Sequence, residues 1–167
     1  MRRRARMRLM PEPMKRSDAE QDKLEAAIAD LFEHRIRFNE VLGLQVLSLV
    51  PPMMRLDMRP ELVGHFLHGR LHGGVISTTL DSLGGLALMV AIGEKHATET
   101  ADQVMLRFAK MGTIDLRVDF LRPGIGRHFV ASAEVSRLGG RVASTQMKLV
   151  NDEGAMIATG AGVYVIS

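Results

Sequence analysis

The chain of 167 residues contains no cysteine. That absence excludes a disulfide scaffold, a thiolate zinc centre and a cysteine nucleophile. By inspection no apolar run approaches the ~20 residues of a membrane span. No secretory signal is expected either, because the basic start "MRRRARMRLM" leads into "PEPMKRSDAEQ" without an apolar core, so the cytoplasm is the expected compartment. No internal repeat is present. No G-x-G-x-x-G follows a strand, and "GGLALMVAIG" is not a phosphate loop.

What remains is the composition of one ordinary globular domain, with 46% hydrophobic and 25% charged residues. The net charge of +3 is unevenly spread. Arg2, Arg3, Arg4, Arg6, Arg8, Lys15 and Arg16 stand against Glu12 alone, giving residues 1–16 a charge of +6 and leaving −3 for the rest. Such a segment can serve as an arm for nucleic acid or anionic membrane. It has no aromatic residue for stacking on bases, and Met7, Met10 and Met14 are each alternative starts. The expectation is a disordered basic leader over residues 1–16, one domain over 17–167, and neither nucleic acid nor membrane as partner.

"SDAE" at Ser17 to Glu20 has the form of a capping box. Leu24, Ala27, Ile28, Leu31 and Phe32 then recur at helical spacing, predicting an amphipathic helix to about Phe38. "VLGLQVLSLV" and "MMRLDM" read as strands joined at Pro51-Pro52, and "RPELVGHFLHGRLHGG" as a Gly-rich loop. Residues 74–92 form a helix apolar on nearly all faces. A linker with a short helix near Val104 to Phe108 follows. Four strands close the chain, "TIDLRVDFL", "HFVASAEVS", "RVASTQMKLV" and "AMIATGAGVYVI", separated by the turns "RPGIG", "RLGG" and "NDEG". This order predicts an α+β fold with an antiparallel sheet wrapped on one long buried helix.

Inside that apolar helix stands one carboxylate, Asp81. A buried, unpaired carboxylate costs several kcal/mol, so it is retained for a partner or a purpose. The simplest partner is Ser77 or Thr78 on the preceding turn. At the helix start, Gly73 and Gly74 offer amides without internal acceptors at the positive end of the dipole, the geometry of an oxyanion hole. A tight turn alone also accounts for two glycines. Asp81 lies eight residues beyond Gly73, about 12 Å along the axis, so one carbonyl cannot meet both on one helix. If the two act together, a second subunit with its helix antiparallel supplies one of them.

"LHGGVISTTLDSLGGLA", followed by "GTIDLRVDFLRPG" and "RLGGRVA", resembles the hot-dog-fold acyl-CoA thioesterases of the phenylacetyl-CoA thioesterase type, from about Val41 to the C-terminus. The long insert before "GTIDLRVDFLRPG" resembles the bacterial subgroup acting on medium- and long-chain acyl-CoA. The resemblance implies a homodimer or dimer of dimers. It also implies hydrolysis of an acyl-CoA with no cofactor beyond the coenzyme A of the substrate. Carried over, it makes the Gly73 amide the donor to the thioester carbonyl and Asp81 of the other subunit the general base or nucleophile. His72 would shape the entrance. Thr113 occupies the slot of a Ser or Thr that helps place the water, although strict alternation puts it with Asp115 and Arg117, opposite Ile114, Leu116 and Val118. Relatives commonly carry an Asn six or seven residues before the H-G-G histidine. Here Phe66 and His65 stand there, and His65 is the candidate replacement donor.

His65, His68 and His72 would share a face of a helix and suit zinc, but Gly64, Gly69 and Gly73 argue against a helix, and no metal is expected. The twelve methionines suit either an adaptable acyl tunnel or an ordinary core. Arg137 and Arg141, flanking the Gly139-Gly140 turn, are candidates, with Gly74, for holding the CoA portion of the substrate; solvated hairpin arginines are the alternative. A non-catalytic acyl-CoA binder is the competing function, which a carboxylate facing a polyanionic ligand disfavours.

Overall fold

The computed structural model describes residues 14–167, so most of the expected leader lies outside the described residues. Arg16, grouped with that leader on charge, belongs to the folded domain. Its main-chain N–H donates to the Ala97 carbonyl at 2.6 Å. Its guanidinium donates to the Gly93 carbonyl at 2.7 Å, in the last turn of the long helix described below, and to the Glu99 carbonyl at 2.5 Å, in the turn that follows that helix. A cation there both pairs carbonyls that lack intrahelical partners and meets the negative end of the dipole.

Ser17 caps α1 (Asp18–Asp30), its Oγ accepting the Glu20 N–H at 3.3 Å. The Glu20 carboxylate does not close the box. It accepts the N–H of Ala101 at 2.8 Å, tying α1 to α4 (Ala101–Arg107). A complete capping box occurs instead at Thr100 and Gln103, which starts α4 three residues before the expected Val104. The continuous helix expected to Phe38 is broken. Leu31–Arg35 widens into a π turn, Ile36 is extended, and α2 (Arg37–Leu42) restarts before Gly43, at φ 70°, ends it. Asn39, only 1% exposed, repairs the break: its Nδ2 donates to the Phe32 carbonyl at 2.9 Å, and its Oδ1 accepts the Ser82 hydroxyl at 2.7 Å. The first strand is correspondingly shorter than the expected residues 41–50, because Val41 and Leu42 end this helix.

The strands are β1 (Gln45–Leu49), β2 (Pro52–Asp57), β5 (Gly112–Phe120), β6 (His128–Leu138), β7 (Val142–Asn151) and β8 (Met156–Val165). They form one antiparallel sheet in the order β1-β2-β6-β7-β8-β5. The expected glycine-rich loop contains a small ladder, β3 (Val63–His65) against β4 (Arg70–Leu71). The sheet wraps α3 (Gly73–Lys95), whose Leu80, Leu83, Leu86, Leu88 and Met89 are buried. By length and composition α3 is apolar enough to cross a membrane, contrary to the reading of apolar runs. Here it is the core of a domain: its apolar residues face Ala131, Ala133, Ala143, Ala158 and Leu149 of the sheet.

Arg16→Ala is expected to cost about 1–2 kcal/mol, the scale of charge-assisted hydrogen bonds at a helix end. The melting temperature should fall by about 2–8 °C. Calorimetry beside a chain lacking residues 1–13, expected to melt like the full chain, checks this.

Candidate active site

Two places on α3 hold candidate residues. At its start His72 is the N-cap, with extended backbone and Nδ1 accepting the Gly74 N–H at 2.9 Å. That bond requires a neutral imidazole with Nδ1 unprotonated. The Gly74 amide is thereby occupied. The Gly73 N–H has no acceptor among the described residues and stands at the positive end of a 23-residue helix. A Cβ on Gly73 would lie 3.5 Å from the Phe120 ring, in ordinary contact. Beside it opens a pocket of about 380 Å³ lined by Arg70, Leu71, Ile76, Phe120 and Arg122.

Two turns along, Asp81 is half-buried rather than buried in the single chain. Ser77 and Thr78 do not serve it. Their hydroxyls donate back to the carbonyls of Gly73 at 3.0 Å and Gly74 at 2.9 Å. The partner comes from the sheet: Thr113 Oγ1 donates to Asp81 Oδ1 at 2.8 Å. Strict alternation had turned Thr113 to the wrong face. A β-bulge between Thr113 and Asp115 leaves Ile114 as the extra residue, so Thr113 opposes Tyr164, Leu116 opposes Gly162 and Val118 opposes Gly160. All three then face α3. Sequence reading passed over Tyr164, whose hydroxyl donates to the Asp81 main-chain carbonyl at 3.3 Å. Its pairing with Thr113 depends on sheet register, which no local pattern announces.

The structure therefore brings together Asp81 with Thr113, and His72 with Gly74. It keeps Gly73 apart from Asp81, at opposite ends of β5: Thr113 touches Asp81, and Phe120 abuts Gly73. His65 lies on β3, stacked on His68 with ring centroids 4.7 Å apart, and its Nδ1 is buried without a partner. Among the described residues no group of three or more His, Asp or Glu is arranged to hold a metal ion. Arg137 and Arg141 are exposed on the β6–β7 hairpin, where the Arg141 carbonyl accepts the Ile166 N–H at 2.9 Å. Val142 and Gly112 both oppose Val165, which puts this hairpin at the Thr113 end of the sheet.

An antiparallel sheet wrapped around one long helix is the hot-dog architecture of the α+β class. A solved protein of Shewanella oneidensis related to the thioesterase superfamily is similar, with a TM-score of 0.83 and 34% identity, covering 91% of this chain and 100% of that one. A solved protein of Syntrophus aciditrophicus gives a TM-score of 0.80 and 33% identity over 90% of this chain and 100% of its own. The medium/long-chain acyl-CoA thioesterase YigI of Escherichia coli is 35% identical over 141 residues, 83% of this chain and 91% of YigI. The thioesterase superfamily model matches residues 68–158. This chain belongs to the thioesterase superfamily and is a thioester hydrolase.

His72→Ala removes the side chain that caps α3 and should cost about 1 kcal/mol. His72→Asn, which can accept the same N–H, should hold the melting temperature close to that of the parent. Thermal denaturation of the two variants side by side checks the capping role.

Proposed function

We propose that the protein hydrolyses medium- to long-chain acyl-CoA to the free acid and coenzyme A, in sites shared between two subunits. The carrying observation is the separation along α3 of an unpaired helix-start amide, Gly73, from a carboxylate held by one hydroxyl, Asp81. In the proposed dimer the Gly73 N–H of one subunit donates to the thioester carbonyl oxygen, where negative charge grows as the tetrahedral centre forms. Asp81 of the other subunit takes a proton from the attacking water, or attacks the carbonyl carbon itself. On the water route the C–S bond breaks, the CoA thiolate takes up the proton that Asp81 removed, and the acyl carbon keeps the hydroxyl as the free acid. On the direct route C–S cleavage leaves an acyl–Asp81 anhydride, which a water then hydrolyses to the free acid and the Asp81 carboxylate, its protons going to the thiolate and to solvent. Thr113 orients the carboxylate, and His72 keeps the helix start in shape.

The acyl-CoA preference rests on the likeness to YigI. Basic groups suited to a polyanionic substrate occur at both places: Arg70 and Arg122 line the pocket beside Gly73, and Arg137 and Arg141 are exposed on the hairpin. His65 is assigned the post of the family's Asn as a donor near the water. The dimer is supported by β5, a nine-residue strand at a sheet edge with Ile114 59% and Phe120 55% exposed, followed directly by Leu121, 51% exposed. An unpaired edge of that length with apolar residues exposed toward both ends can be covered by a second copy.

Asp81→Ala should lower the rate of thiol release from acyl-CoA by roughly 10²-fold or more, the scale of losing an acid–base group, with KM little changed. Thr113→Val should lower it by roughly 10- to 100-fold, the worth of one hydrogen bond to a charged group, and Thr113→Ser should restore it. Complementation tests the sharing. Mixing inactive Asp81→Ala and Gly73→Pro subunits should regenerate one intact site per heterodimer. Heterodimers shown to form yet remaining inactive would refute the shared site.

A further inference from the structure

Tyr164 is the only tyrosine in the chain and is 2% exposed. Its ring occupies a cradle made by two glycines. A Cβ on Gly84 of α3 would lie 2.1 Å from its Oη, and one on Gly162 of β8 would lie 2.6 Å from its ring. No side chain can stand at either position while the ring is there. Helix and strand have both been emptied of side chain at the point where one phenol reaches across.

At the end of that reach the Oη meets the Asp81 carbonyl at 3.3 Å. This carbonyl already accepts a helical hydrogen bond, being in the interior of α3, so the phenol is not needed to satisfy it. What the contact adds is a fixed distance between the sheet and this one residue of the helix. Across the ladder, Thr113 opposes Tyr164 and donates to the Asp81 carboxylate at 2.8 Å. A cross-strand pair thus holds Asp81 by main chain and side chain together. Burial first, and the Asp81 charge second, push the phenol well above the ordinary tyrosine range, so it remains a neutral donor.

We infer that Tyr164 is a positioning residue for Asp81, sharing with Thr113 the placement of the carboxylate. This rests on the reading of Asp81 as general base or nucleophile. The absence of any other tyrosine supplies a clean probe, since biosynthetic replacement of tyrosine by 3-fluorotyrosine labels Tyr164 alone. In the full-length enzyme its 19F resonance should shift with pH as Asp81 ionises, and that shift should be missing in Asp81→Asn. With decanoyl-CoA as substrate, Tyr164→Phe should lower kcat by about tenfold and leave KM within about twofold. In the Asp81→Asn background the same change should have no further effect on the residual rate. A wild-type kcat in Tyr164→Phe, or a loss carried wholly by KM, would overturn the assignment. So would a 19F titration unchanged in Asp81→Asn. If Tyr164→Phe does not fold, the fluorotyrosine titration decides alone. An Asp81→Asn enzyme as active as the parent overturns the underlying reading and the inference with it. An inactive Asp81→Asn beside a fully active Tyr164→Phe overturns the inference only.

Discussion

The structure depends on the close seating of α3 against the sheet. The strand faces beneath the helix interleave small residues, Ala131 and Ala133 on β6, Ala143 on β7, and Ala158, Gly160 and Gly162 on β8, with large ones, Phe129, Met147, Leu149 and Tyr164. The small positions let the leucines of the helix approach the sheet closely, and the large ones fill the space between them. This packing also makes the helix a stiff rod, because bending it would open gaps along the whole contact. A rod fixes spacing. The amide at its start and the carboxylate two turns along keep a separation of about 12 Å, and no local adjustment closes it.

β5 carries the consequences of that spacing. One end supplies Thr113 to Asp81 and the other lays Phe120 beside Gly73, so a single strand touches both parts of the proposed site. The same strand is one of the two edges of the sheet, β1 being the other. Natural edges are blunted by bulges and charge. β5 has the bulge at Ile114 and the charges Asp115, Arg117 and Asp119, with Arg117 and Asp119 paired at 3.1 Å. Its exposed apolar residues cluster toward the two ends, at Ile114 and at Phe120–Leu121. In the proposed dimer, the surface that covers the edge is the one that unites the two parts of the site.

Most of the architecture was legible because it is written locally. The apolar run after Gly74, the turns "RPGIG", "RLGG" and "NDEG", and the strand alternation between them each speak within a window of ten residues or so. The failures occur where a residue's partner is remote in sequence. The π turn is held by Asn39, whose second contact, Ser82, is 43 residues away. Glu20 left its box for Ala101, 81 residues on. Arg16 looked like tail until the end of α3 supplied acceptors. At the site, Asp81 and the H-G-G glycines stood out by type and spacing. Thr113 was named through resemblance against its own alternation, and the bulge that reconciles the two is a property of pairing, not of composition. Tyr164 gave no signal, because a tyrosine in a closing strand reads as core until the glycine opposite it is known.

The choice of partner for Asp81 bears on what the carboxylate can do. Among the described residues it forms no ion pair, and its one side-chain donor is a hydroxyl. A bidentate arginine would occupy both oxygens and stabilise the charge so strongly that accepting a proton, or attacking a carbon, became unfavourable. A threonine orients one oxygen and leaves Oδ2 to accept from water. Its short side chain reaches Asp81 only because the bulge turns it inward, and its bond length has meaning only if the helix residue is itself held in place. That second requirement is met from the main-chain side by a buried, neutral phenol. Orientation by neutral donors, rather than neutralisation by a cation, is the arrangement that keeps a carboxylate both fixed and reactive.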